Sequence, residues 1–257
     1  MLTQIPLLSV LMFSIIYPLC FWLSFRDPLK NKFHHFHIGL PAVTAGLVVV
    51  GMRLIGLPQD LIWMGIAWLV LFLGVTYVYW QKETVNPVWV SVVSALGFIL
   101  YIKVHNVLLG ANVLVIAASV LAGLVLSAAF YAMNLGHWYL NVHGLSMGHL
   151  KRAAIALGAA LGLRLLWDVV LFFTSHVMFR GEMITVPLFM MRMDGFFLWI
   201  AFFFGTLFPF IGMYFVWGTL KVKSTQSATG ILYVLLSAIL IGDIAYKYYF
   251  LYYGLAF

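Results

Sequence analysis

Val113-Leu-Val-Ile-Ala-Ala-Ser-Val-Leu-Ala-Gly-Leu-Val-Leu-Ser-Ala-Ala-Phe-Tyr131 contains no charged residue, no proline and no alternation of polar with apolar positions. As a helix rising about 1.5 Å per residue, the run is long enough to cross the roughly 30 Å hydrocarbon core of a bilayer. Hydrocarbon offers no water to backbone N–H and C=O groups, so a spanning segment is either helical or part of a closed barrel, whose strands alternate in hydropathy. This run does not alternate and is read as a transmembrane helix. Similar runs fill nearly all of the 257 residues, of which only 8% are charged. The expected fold class is therefore all-α: a polytopic integral membrane helical bundle of about eight spans.

Turn signals at Asp27-Pro28, Leu57-Pro58, Asn86-Pro87, Gly110, Gly144, Arg180-Gly181 and Ser224 to Gly230 separate these runs. They set the spans at about 5–25, 38–57, 60–80, 88–107, 111–140, 150–178, 193–219 and 229–254. The connections are too short for a soluble domain, so 1–257 reads as a single transmembrane domain. The first run has no basic residue before it and no small-residue cleavage pattern after it, and is read as a retained helix.

A formal charge of +7 would suggest nucleic acid in a soluble protein, but here the basic residues sit between spans and report topology. Arg26, Lys30, Lys32, Lys82, Lys151, Arg152, Lys221 and Lys223 form the larger, inside group. Both termini are then expected outside the cytoplasm, with the chain in a bacterial inner membrane. The expected partners are the lipid bilayer and other membrane or redox subunits, and no nucleic acid. The single cysteine, Cys20, excludes an intrachain disulfide, a four-cysteine iron–sulfur site, a zinc ribbon and c-type haem attachment. Phosphate-binding Gly-rich loops, HExxH, G-x-S-x-G and dinucleotide fingerprints are absent, which argues against a self-contained ATPase, zinc protease or serine hydrolase.

The densest polar information follows the opening run. Ser127, Tyr131, Asn134, His137 or Trp138, and Asn141 recur at threes and fours, so they form one helical stripe expected to face protein. On this reading His137 and Asn134 are buried, while Leu135 and Leu140 meet lipid or neighbours less selectively. A second cluster, His34-His35-Phe36-His37, lies on the same side, while His105 and His176 map to the outer side. Two depths of histidine suit two b-type haems, each held by imidazoles from two facing helices: His137 with His34 or His37, and His105 with His176. A histidine-box metal centre drawing also on His35, His143 and His149 is an alternative, although the HHxH spacing does not put its imidazoles on one helical face. Interfacial hydrogen bonding is the simpler account of most of these histidines.

Arg164 and Asp168 are four apart inside the sixth span, hence on one face. Ionisable residues at membrane depth are costly and mark function or an ion pair that locks packing. Arg164 could serve a haem propionate, and Asp168 could transfer protons. Asp243 and Lys247 repeat the spacing in the last span, where a structural role with a snorkelling lysine is expected. Aromatic clusters such as Tyr246, Tyr248 and Tyr249 read as an interfacial belt. Pro209 cannot donate to the Gly205 carbonyl and should kink the seventh span.

Three functional classes follow. The first is a membrane subunit of an electron-transfer complex, an oxidoreductase subunit rather than a self-contained enzyme, binding b-type haem or quinone. The second is a proton-coupled transporter or channel. The third is a structural subunit or assembly factor.

Overall fold

A computed structural model describes residues 3–25, 27, 29, 32–142 and 144–257. The chain is an all-α polytopic helical bundle, and eight helices among the described residues are long and apolar enough to cross a membrane. Contacts divide it into two compact units, Met1–Asn112 and Val113–Phe257.

In the first unit, α1 (Gln4–Ile16) tightens into a 3₁₀ helix over Tyr17–Ser24, and α2 (Phe33–Leu54), α3 (Gln59–Trp80) and α4 (Pro87–Leu109) follow. The change of pitch falls at Tyr17-Pro18, where proline withholds the N–H that would continue the α-helical ladder. Asn86 caps α4, its side chain accepting from the Val88 N–H at 3.0 Å, and Pro87 occupies the first turn, where no intrahelical donor is needed. α1 packs on α2 and α4, and α3 on the same two helices. The α1–α3–α4 contact closes around Gly97, where a methyl group would stand 2.8 Å from both Ile15 and Trp68. Trp68 Nε1 donates to the Val93 carbonyl at 2.9 Å, so its ring fills this contact without an unsatisfied donor.

The second unit consists of α5 (Val113–Asn141), α6 (Gly148–Thr174), a hairpin of β1 (His176–Phe179) and β2 (Glu182–Thr185), α7 (Val186–Met190), α8 (Phe196–Phe202), α9 (Phe208–Lys221) and α10 (Thr225–Tyr253). α5 packs on α6 and α10, and α10 also packs on α8 and α9. Arg180 and Gly181, both at positive φ, connect the antiparallel pair Phe179↔Glu182. Two left-handed residues give the twist that a two-residue hairpin needs.

The structure changes several span boundaries. α2 begins at Phe33, five residues before the expected start at 38, so the histidine cluster is helical. α6 ends at Thr174, and the residues expected to complete it enter the hairpin. The seventh span is composite. A 3₁₀ turn, Met193–Gly195, leads into α8, and a π-helical segment, Phe203–Leu207, joins α8 to α9. Pro209, two residues further on, lacks the N–H that the Gly205 carbonyl would meet in an α-helix, so the proline is accommodated by a widened turn.

Candidate functional site

A buried cluster of charged and hydroxyl groups lies inside the second unit. On α6, Arg164 and Asp168 are 2% and 1% exposed, and Arg164 Nε lies 3.0 Å from Asp168 Oδ1. α10 contributes Asp243, Tyr246 and Lys247, spaced so that all three share a face. Tyr246 Oη donates to Asp168 Oδ2 at 2.7 Å. The π turn supplies Thr206, whose Oγ1 donates to the same carboxylate oxygen at 2.6 Å and lies 2.9 Å from Tyr246 Oη. The Arg164 guanidinium also lies over the Tyr246 ring, 4.0 Å from its centroid, and its Nη1 donates to the Ala118 carbonyl of α5 at 3.3 Å. A cation on a desolvated aromatic face gains more than it would at a wet surface.

Backbone shape makes this convergence possible. Gly205, in the π turn, meets Gly242 of α10 so closely that a Cβ on Gly242 would lie 2.1 Å from the Gly205 Cα. With neither residue carrying a side chain, the segments approach backbone to backbone. That approach seats Tyr246 beside Gly205 and brings Thr206 within reach of Asp168. Beside the cluster, Lys247 forms an ion pair with Asp243, both of them buried. The expectation that Lys247 snorkels to the surface is not met; its ammonium stays inside because Asp243, four residues earlier, supplies the counter-charge there. A small cavity of about 10 Å³ is lined by Arg164, Gly205, Asp243 and Tyr246.

The remaining sequence candidates are placed differently. His34 and His35 cap the C-terminal end of α3, with Nε2 3.2 Å from the Tyr79 carbonyl and 2.8 Å from the Trp80 carbonyl, respectively. A carbonyl only accepts, so each Nε2 carries its hydrogen and is committed to a helix end. His34 therefore does not fit an iron ligand through Nε2. His37 is buried, with Nδ1 2.7 Å from Tyr17 Oη and its ring stacked on Phe33 at 3.9 Å. His105 is also buried, beside Tyr101 in α4.

His137, expected inside, is exposed, while Leu135, expected to meet lipid or neighbours less selectively, is buried. Of the two residues the spacing allowed, Trp138 takes the inner position: Ser127 and Tyr131 are buried, Asn134 and Trp138 are half-buried, and Asn141 is exposed. α5 is buried along most of its length, so its last two turns, not a single face, decide which polar groups lie inside. His176 is exposed on the hairpin. Each expected haem pair draws one histidine from each unit. No group of three or more His, Cys, Asp or Glu suited to a metal ion forms among the described residues, outside which His143 lies.

Thr206 and Tyr246 were not singled out from the sequence as site residues. Their signal is the Asp243-x-x-Tyr246-Lys247 spacing and a threonine three residues before Pro209. Comparison with protein families, curated proteins and solved structures finds no match. The functional reading therefore rests on this geometry.

Proposed function

We propose that the protein is a proton-coupled transporter or proton channel in which Asp168 takes up and releases the proton. The observation that carries this reading is a count of hydrogens. Asp168 Oδ2, Thr206 Oγ1 and Tyr246 Oη form a triangle with sides of 2.6, 2.7 and 2.9 Å. Each hydroxyl brings one hydrogen and an ionised carboxylate brings none, so two hydrogens serve three contacts. When Asp168 binds a proton, three hydrogens serve three contacts and the ring of bonds closes without moving a heavy atom. The ionised form has its own partner, the Arg164 guanidinium. The closed ring of hydrogen bonds stabilises the neutral form and the Arg164 charge stabilises the ionised form, so proton exchange sets one against the other inside the bundle.

The small cavity beside Arg164 is close to the volume that holds one water. A water there would join the Asp168 triangle to Asp243. We take the membrane to be a bacterial inner membrane with both ends of the chain outside the cytoplasm, because the larger group of basic residues lies on the loops that would then face inward.

The test is proton flux into vesicles containing the purified protein and a pH-sensitive dye, driven by an imposed potential. Native protein should acidify the lumen; Asp168→Asn should still insert, although less stable because Arg164 loses its counter-charge, and should not acidify it. Tyr246→Phe should slow the flux several-fold. Native flux in Asp168→Asn would overturn the reading.

A second reading is an electron-transfer subunit with b-type haem or quinone and other redox subunits as partners. It is favoured by the burial of the His37 and His105 imidazoles. The protein purified from its own membrane should then show a Soret band that His37→Ala or His105→Ala diminishes; no such band would remove the haem form of this reading.

A further inference from the structure

The second unit contains a larger cavity, of about 230 Å³, that the proton reading leaves unused. Val169, Phe172 and Phe173 of α6 form one wall and Leu198, Trp199 and Phe202 of α8 another, with Met190 and Phe257 completing it. Apart from Asp168, every lining residue is apolar or aromatic. Trp199 Nε1, the one side-chain N–H on these walls, is already donated to the Met190 carbonyl at 3.2 Å. Asp168 borders the cavity, but its carboxylate oxygens meet Arg164, Thr206 and Tyr246. A polar or charged ligand would give up its water here with nothing to replace it.

Size and shape narrow the class further. An apolar cavity of about 150 Å³ in another protein stays dry and takes benzene, so this one has room for a ring bearing several more carbons. Phe172 meets Phe173 and Trp199 edge to face, with interplanar angles of 86° and 60°. Such walls offer ring faces and edges to a planar guest, and a rigid ring loses less conformational freedom on entry than a flexible chain. Phe173 and Trp199 are themselves exposed, 75% and 44%, on membrane-spanning segments.

We propose that this cavity binds a lipophilic aryl compound that enters from the bilayer. Its identification as the transported species rests on the proton reading, since Asp168 backs onto the same space; its binding does not.

The test uses a phenyl diazirine photolabel with the full-length protein in phospholipid vesicles, the labelled positions being mapped by mass spectrometry. Met190 and Leu198 line the cavity and, at 3% and 1% exposed, present almost no surface to the bilayer, whereas Leu166 is 65% exposed and reports the outer surface. Native protein should carry label at all three. Val169→Trp, which fills the cavity, should lower the label at Met190 and Leu198 at least five-fold and leave Leu166 unchanged. Phe202→Trp serves the same purpose if the first variant does not insert. Label confined to Leu166 in native protein overturns the proposal. Label at Met190 and Leu198 in lipid-free detergent but not in vesicles assigns the cavity to acyl chains and also overturns it. Asp168→Asn should retain the inner label while losing proton flux. If it keeps both, the proton reading fails and the binding site stands.

Discussion

Arg164 and Asp168 compensate each other in the buried interior, so removing one leaves the other charge without its partner. Arg164→Leu should cost about 3–5 kcal/mol in stability, the range for breaking a buried pair. Arg164→Leu combined with Asp168→Leu should be markedly more stable than Arg164→Leu alone, because no isolated charge remains. Denaturant unfolding of the two proteins in detergent, followed by tryptophan fluorescence, compares them. Equal destabilisation would mean that the two charges do not act as a pair. Tyr246→Phe removes one hydroxyl from the Asp168 triangle and should cost about 1.5–3 kcal/mol, as for hydrogen bonds to charged groups. Arg164 and Asp168 were legible in the sequence because helical spacing puts i and i+4 on one face. Thr206 was not, since its position depends on a π turn that no periodicity announces. Tyr246 was hidden by the number of tyrosines beside it, most of which do read as an interfacial belt.

Close helix contact limits side-chain size at particular glycines. A Cβ on Gly242 would meet the Gly205 backbone at 2.1 Å, whereas one on Gly218 would meet nothing within 4 Å. Gly242→Ala should therefore destabilise by about 1–3 kcal/mol, as overpacking does. Gly218→Ala should be neutral or slightly stabilising, because alanine favours the helix. Thermal unfolding of both variants checks the contrast. At the end of α3, His34→Ala or His35→Ala should each cost about 0.5–1.5 kcal/mol through a lost hydrogen bond to a terminal carbonyl. The HHxH cluster is conspicuous in sequence, but what those rings serve became visible only with the Tyr79 and Trp80 carbonyls of another helix beside them.

At the scale of the whole chain, eight apolar runs made the helical membrane fold legible, because hydrocarbon leaves the backbone few alternatives. Boundaries were less legible. The first strand of the 176–185 hairpin was read, through residue 178, as the end of the sixth span, since His176-Val-Met-Phe179 carries as much apolar character as a helix end. The basic-loop count makes a direct topological prediction: a reporter fused after Phe257 should be active outside the cytoplasm, and one inserted near Lys223 inside. Two reporters on the same side would remove the last crossing from the topology.

The π turn before Pro209 also has an arithmetic consequence. Its hydrogen bonds reach five residues back where an α-helix reaches four, so the segment carries one residue more than an α-helical path would use. Each α-helical residue advances the rotation by about 100°. Deleting Phe204 would remove the extra residue and keep everything downstream in phase, with Met213 still inward and Tyr214 still outward, as they are now, at a cost of about 3 kcal/mol where the Gly205 carbonyl again meets Pro209. Deleting Ile211, inside regular α9, would instead turn the rest of the helix by about 100° and drive Tyr214 toward the interior. Two single-residue deletions seven positions apart on one span should therefore differ sharply, the first yielding inserted, monodisperse protein and the second misfolded chain.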